Sequence, residues 1–374
     1  MAFDFIHTGD WHLAKPFGRF DLEKAALLRE ARARIVDRVG DLARQTGASV
    51  VLVAGDVFDN ALVADGVLRK LAARLEQYAD LQWHFLPGNH DPATSNGVWS
   101  RFASICTADY VVIHQEAGLH HISADVDLLT APLHARAIAH DPTAWMIDGT
   151  STSGIIRIGL AHGAVQGFGS AGEASVLISP DRALSAELDY LALGDWHGVR
   201  QVGPKAWYAG APEPDQFPDN EPGYALNVSI ERQGAEPQVQ RHSIGQYEWR
   251  KSVLDGDLLG GLADIERSIV AAGADATSML LRLDVQGRVT LDDEFELRDR
   301  IERLGDRTFH TEADFSQLDV NTQQLEADAF ADPLLASVAA QLTDRLTEGG
   351  DDGAVAHRAL LLLSRLAREQ EHVA

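Results

Sequence analysis

The residues of this chain best suited to chemistry sit just after short apolar runs. Residues 3–7 lead into Thr8-Gly9-Asp10-Trp11-His12, and residues 49–53 into Ala54-Gly55-Asp56-Val57-Phe58-Asp59-Asn60. The run 82–86 ends in Pro87-Gly88-Asn89-His90-Asp91, the run 155–160 in Ala161-His162-Gly163, and the run 189–193 in Gly194-Asp195-Trp196-His197. Each ending carries a residue able to hold a hard or borderline cation. Asp, His and Asn offer oxygen and nitrogen donors without sulfur, which suits Mn²⁺, Mg²⁺, Fe²⁺ or Zn²⁺ and excludes a soft-metal site. Asp10, His12, Asp56 and His197 can complete one site, and Asp56 can bridge to a second held by Asn89 and His162. Two cations about 3.5–4 Å apart clamp a phosphorus centre for in-line attack. The expected chemistry is metal-dependent phosphoester hydrolysis.

The elements must bring these endings to one place. The five runs are short and β-branched, and residues 22–44 and 62–78 between the first three carry apolar residues at helical spacing. Alternating strands and helices give a layered α/β domain, in which loops at the carboxyl ends of strands converge on one edge. Glycine stands before Asp10, Asp56, Asn89 and Asp195, where it lets the backbone turn sharply. Residues 110–130, 205–209 and 224–230 read as antiparallel strands, so the expected core is a mixed two-sheet sandwich flanked by helices.

Around Gln246 the pattern changes. A helix over 258–270, a strand over 279–285, a helix over 291–304 and a strand over 308–315 predict a small α+β unit. Asp332-Pro333 opens a helix with a cap and a first-turn proline, Gly349-Gly350 stops it, and Asp351-Asp352 opens a last one. The expected organisation is 1–246, a catalytic domain; 247–330, a cap-like domain; and 331–374, a helical segment.

Composition narrows the function classes. Against 56 Asp+Glu there are 32 Lys+Arg, a formal net charge of −24, which excludes a protein that grips nucleic acid mainly by a broad basic surface. Cys106, the single cysteine, excludes an internal disulfide framework and a cysteine-rich zinc site. The polar start MAFDFIHTGDWH and the lack of a long apolar stretch predict a soluble, cytoplasmic protein that does not enter a membrane.

The ordered set Asp10-x-His12, Gly55-Asp56-x-x-Asp59, Gly88-Asn89-His90-Asp91, His162 and Asp195-x-His197 resembles the calcineurin-like metallophosphoesterases. Within them, Asp10-Trp11-His12-Leu13 and the order of spacings look like the SbcD-type nuclease subunits of DNA-break repair. The resemblance covers roughly residues 5 to 200. It implies that Asp10, His12 and His197 bind one metal, that Asp56 bridges, and that Asn89 and His162 bind the other. It implies that His90 is no ligand but contacts the scissile phosphate or protonates the leaving oxygen; Asp91, next to it, is placed to orient it. Two divalent ions are implied, Mn²⁺ first, with DNA as substrate and an SbcC-like ATPase as partner chain; a homodimer is an open alternative. The family usually reads Gly-His-x-His where this chain has Gly194-Asp195-Trp196-His197. If Asp195 binds, three carboxylates face the two ions and the centre carries one positive charge fewer; if it turns away, the second site is weak or empty. Besides a nuclease, a phosphodiesterase or phosphatase on nucleotides or small phosphoesters, and a DNA-end-binding subunit with a weakened metal site, stay open.

Some residues have two readings. Asp59 either caps a helix after Asn60 or supports the site, Trp11 and Trp196 either stack on a nucleotide or pack in the core, and Lys15 and Arg19 either meet a phosphate backbone or are solvated loop charges. The segment 207–213 reads as structural. On the C-terminal helices, Leu335, Val338, Leu342 and Leu346 form one stripe and Val355, Ala359, Leu362 and Leu366 another. These either pack on the chain itself or dock a partner's helices.

Overall fold

The computed structural model of the chain describes residues 2–149, 151–167, 176–217, 220–321, 332–348 and 350–373. It divides into two compact units, Met1–Glu248 and Trp249–Ala374.

The first unit is an α/β sandwich of two six-stranded sheets. One sheet runs in the order Gln238–Ser243, Tyr224–Ile230, Phe3–Thr8, Val50–Val53, Gln82–Phe85, Val111–Ile113. The other runs Arg200–Gln201, Ala206–Tyr208, Tyr190–Gly194, Ile156–His162, Val126–Ala131, Gly118–Ser123. The central neighbours pair in parallel, while Tyr224–Ile230 and Gly118–Ser123 join antiparallel. Strand periodicity sorts the side chains. Phe5, Val50, Leu52 and Ala54 point between the sheets, onto Leu128, Ile158, Leu160 and Tyr190 of the other sheet. Ile6, Val51 and Val53 point the other way, onto the helices Ile35–Thr46, Asp65–Leu75 and Val98–Ile105. Burial on both faces explains why these strands read as continuous apolar runs.

Three details differ from the sequence reading. The helix expected over 22–44 is two, Leu22–Ala33 and Ile35–Thr46, meeting at Arg34. Within 110–130, Val111–Ile113 pairs in parallel with Gln82–Phe85, and only the Gly118–Ser123 and Val126–Ala131 pair is antiparallel. Ala206–Tyr208 is likewise parallel to Tyr190–Gly194 and antiparallel only to Arg200–Gln201.

In the second unit the strands Glu248–Leu254, Met279–Thr290 and His310–Asn321 form a sheet in that order. The helices Leu258–Ala272 and Leu291–Gly305 contribute to its core. Thr290 and Asp293 form a reciprocal capping box at the start of the second of these. The helices Pro333–Glu348 and Gly350–Val373 pack on each other through Leu335, Leu342, Leu346, Leu360 and Leu363. Leu361 reaches the sheet's core, whereas Val355, Leu362 and Leu366 are exposed. Gly349, half of the expected helix stop, lies outside the described residues. No helix among the described residues is long and apolar enough to cross a membrane.

Candidate metal centre

The loops after the five strands are stitched to one another by their backbones. Asp10 N donates to Gly55 O (3.0 Å), His12 N to Asp56 O (2.9 Å) and Leu13 N to Val57 O (2.8 Å). The Asp10 carboxylate accepts from Asp195 N at 3.0 and 3.2 Å, and Asp56 Oδ1 accepts from His90 N at 2.8 Å. Asp10, His12, Asp56 and Asp195 themselves adopt positive φ, of 53°, 44°, 52° and 102°. Asp and His tolerate the left-handed region better than most residues, yet still at a cost of about 1–3 kcal/mol each. The sharp turns are therefore made largely by the chemical residues themselves. At Gly88 and Gly194 glycine serves another need. A Cβ at Gly88 would lie 2.2 Å from Asp56 Oδ1, and one at Gly194 1.8 Å from Ala54 O. Only a residue without a side chain lets the loops close around the acids.

The donor atoms converge. His12 Nε2 lies 3.2 Å from His197 Nε2 and 3.9 Å from Asp56 Oδ2. His162 Nε2 lies 3.4 Å from the same Asp56 oxygen and 3.8 Å from Asp195 Oδ1. Asn89 Nδ2 is 3.4 Å from Asp195 Oδ1. Among the described residues, three sets hold mutually close ligand atoms: Asp10, His12 and His197; Asp10, Asp56 and His162; and His12, Asp56 and His90. Asp10, Asp56 and His12 are each shared by two sets, the arrangement expected of neighbouring cation sites. Asp195 sits on the His162 and Asn89 side, the side that the sequence assigns to the second ion.

The residues fit a divalent cation on their own chemistry. Two imidazole nitrogens 3.2 Å apart cannot both carry hydrogens toward each other. His162 is buried, with Nδ1 2.9 Å from Ala54 O, and its Nε2 makes no hydrogen bond among the described residues. An imidazole fixed by a carbonyl on one nitrogen and bare on the other is the usual state of a histidine ligand. Without a cation the site balances itself with protons. Burial raises Asp10 well above the ordinary carboxyl range, as Asp56 and Asp195 also do, against the pull of His162. Burial likewise raises Asp195. Asp56 stays low: burial works against ionisation, but His162, His12 and His90 beside it outweigh burial. Burial opposes a charge on His162 too, yet Asp56, Asp10 and Asp195 hold its pKa well above normal. Burial holds His12 and His197 down.

The remaining residues find their places. His90 Nδ1 lies 3.0 Å from Asp59 O, so that carbonyl orients the ring and leaves Nε2 for the centre. The expected orientation by Asp91 is corrected. Asp91 is buried, with Oδ1 accepting from Gly88 N at 2.7 Å and Oδ2 from Phe58 N at 3.0 Å. Burial, with Asp56 adding to it, pushes its pKa up to about 8. Asp91 ties the third loop to the second. Asp59 caps no helix: the next one, Asp65–Leu75, is preceded by Ala64. Its Oδ1 is 3.8 Å from His12 Nδ1, behind a candidate ligand. Trp11 is fully buried and Trp196 packs beside the second sheet's outer cluster. Lys15 pairs with Asp215 at 2.5 Å, and the Arg19 guanidinium lies over Phe20 and Phe217.

Sequence reasoning missed Arg32 and Asp215, and it placed Glu213 only within a structural segment. Arg32, wholly buried, donates to Trp11 O and, at 2.7 Å, to Glu213 O. Glu213 accepts from Arg38 Nη2 at 2.6 Å and from the backbone of Gln246 and Tyr247 at 2.9 Å. A pair of acids in Pro212-Glu213-Pro214-Asp215 is a faint signal, because surface loops carry such acids routinely.

Residues 3–184 match the family model described as calcineurin-like phosphoesterase. The match ends before Asp195 and His197. No curated protein matches the chain. Among solved structures, the chain is similar to the TT1561 protein of Thermus thermophilus, at 13% identity over 65% of this chain and 99% of that one, with a TM-score of 0.38. It is similar to a dimetal phosphatase from Danio rerio at 13% identity over 63% of this chain and 98% of that one, with a TM-score of 0.39. The matched residues, just under half of the 374, include Asp10, His12, Asp56, His90 and His162 of the candidate ligand clusters.

Proposed function

We propose, taking the calcineurin-like superfamily as premise, that this protein hydrolyses phosphodiesters with two divalent ions, Mn²⁺ first, and acts on DNA as an SbcD-type nuclease. One observation carries the hydrolytic reading: side chains from five loops, each with a donor atom 3.2–3.9 Å from the next, gather around Asp56. The DNA reading is supported by Asp10-Trp11-His12-Leu13 and by the second unit.

Asp10, His12 and His197 would hold one ion, Asn89, His162 and Asp195 the other, with Asp56 between. Bound cations supply Lewis acidity and positive charge toward a phosphoester. The chain's own contribution is positional. The paired loops fix Asp10, His12 and Asp56 before any ligand arrives. His90, held through Nδ1, presents Nε2 to the leaving oxygen and donates a proton there, a task worth about 10²–10⁴-fold. Asp195, in place of the family's histidine, lowers the centre's net charge and favours harder ions over Zn²⁺.

The exposed stripe Val355, Leu362 and Leu366 is the face we assign to an SbcC-like partner's helices; the stripe through Leu335, Leu342 and Leu346 is used internally. A specific observation favours the small-phosphoester alternative, the net charge of −24. Purified protein with Mn²⁺, assayed on labelled DNA and on bis-p-nitrophenyl phosphate, separates them. Cleavage of both supports the nuclease, cleavage of the small ester alone supports the alternative, and cleavage of neither overturns the hydrolase.

A further inference from the structure

The Asp215 carboxylate is divided between two tasks. Its side chain is 2% exposed, and Oδ2 faces Lys15 Nζ at 2.5 Å and Arg32 Nη2 at 3.5 Å. Oδ1 faces His197 Nδ1 at 3.8 Å. On the other edge of the same ring, His197 Nε2 meets His12 Nε2. Arg32, which helps hold Asp215, also grips the carbonyl of Trp11, between Asp10 and His12. One buried network therefore joins the loop of the first ligands to the loop behind His197.

We propose that Asp215 is a positioning residue: its Oδ1 selects the His197 tautomer with hydrogen on Nδ1, leaving Nε2 bare to hold a divalent cation. This rests on the reading of His197 as a cation ligand. At 3.8 Å the contact is electrostatic, longer than a hydrogen bond. It still suffices to choose between tautomers, because the alternative would aim the lone pair of Nδ1 at a carboxylate. The Nε2 hydrogen would then be aimed at His12. Lys15 and Arg32 neutralise the acid without competing for Oδ1. A carboxylate behind a histidine ligand commonly contributes about 10–100-fold to metal affinity.

Asp215→Asn tests this sharply. Lys15 and Arg32 attract the amide oxygen, so the amide NH₂ turns to His197 and favours the opposite tautomer, with hydrogen on Nε2. Two measurements follow on the full chain. In ¹⁵N-histidine-labelled, metal-free protein at neutral pH, the ring nitrogens of His197 are identified by their loss in His197→Gln. Wild type should show hydrogen on Nδ1 and Asp215→Asn hydrogen on Nε2. In calorimetric titration with Mn²⁺, Asp215→Asn should bind about 10–100-fold more weakly, while Lys15→Gln, which keeps the carboxylate facing the ring, should change affinity less than about threefold. In a His197→Gln background, Asp215→Asn should cost little more. Hydrogen on Nε2 in wild type overturns the proposal even if Asp215→Asn fails to fold, as does an Asp215→Asn protein with unchanged tautomer and affinity. Wild type that binds no Mn²⁺ overturns the proposed hydrolase instead, and the tautomer comparison still decides the role of Asp215.

Discussion

At the scale of single residues, Asp56 and His90 stand at the same centre with separable tasks. Asp56 shares ligand clusters with His12 and His162, so Asp56→Ala should abolish hydrolysis and cut the bound Mn²⁺ at both sites, measured by elemental analysis after dialysis. His90→Ala should keep the Mn²⁺ content and lose about 10²–10⁴-fold in kcat. Metal lost along with rate would make His90 a ligand, the role that its closeness to His12 and Asp56 leaves open to test. Protons give a second prediction. His162 has a pKa raised well above normal and Asp10 is raised with it, so the metal-free centre holds more protons than the same side chains would in water. Ligation requires their loss. Mn²⁺ binding should therefore release protons, and affinity should tighten as pH rises, by up to about tenfold per pH unit for each proton displaced. Calorimetry in two buffers of different ionisation enthalpy measures the release; none at neutral pH would show that the acids and His162 are already deprotonated.

At the scale of elements, the site depends on loops that close without side chains between them. Gly194→Ala places a methyl group against Ala54 O, a backbone atom that cannot step aside. Overpacking of this kind costs about 1–3 kcal/mol, and because the displaced loops carry Asp56 and Asp195, cation binding should weaken with it. Gly66→Ala, in a helix with open space around it, should leave binding alone and stabilise by about 0.5–1 kcal/mol. Melting temperatures with and without Mn²⁺ check both. This is also where sequence reading reached its limit. The strands and the ligand types at their ends were legible because buried parallel strands write themselves as apolar runs. The reason for each glycine was not, since a turn and a close approach leave the same letter. Asp91 beside His90 suggested a contact in sequence that the chain does not make in space, and the partner of His90 is a backbone carbonyl, which no side-chain pattern encodes. Asp215 comes from a loop with no ligand motif, and only the folded arrangement puts it behind His197.

At the scale of the whole molecule, charge is the dominant fact. A protein that neutralises six to ten DNA phosphates loses about 10³–10⁵ in affinity between 50 and 200 mM salt. With a net charge of −24, this chain repels DNA at long range, and salt screens that repulsion. Its kcat/KM on DNA should change by less than about tenfold over that range, while cleavage of bis-p-nitrophenyl phosphate changes little. A steep fall on DNA would reveal a concentrated basic groove that the total charge conceals. If the Val355, Leu362 and Leu366 stripe docks a partner chain as proposed, that chain offers a second route around the repulsion by bringing the DNA.

The left-handed backbone at Asp10, His12, Asp56 and Asp195 has a consequence for anyone improving this protein by selection for heat resistance. At each of these positions a glycine would relax the main chain, and at two of them, Asp10 and Asp195, it would also remove a carboxylate whose ionisation burial opposes. A screen that rewards melting temperature alone will therefore drift toward empty, well-folded proteins. The centre's residues are where thermal hardiness and catalysis pull in opposite directions, so a library should hold these four fixed and seek its gains elsewhere.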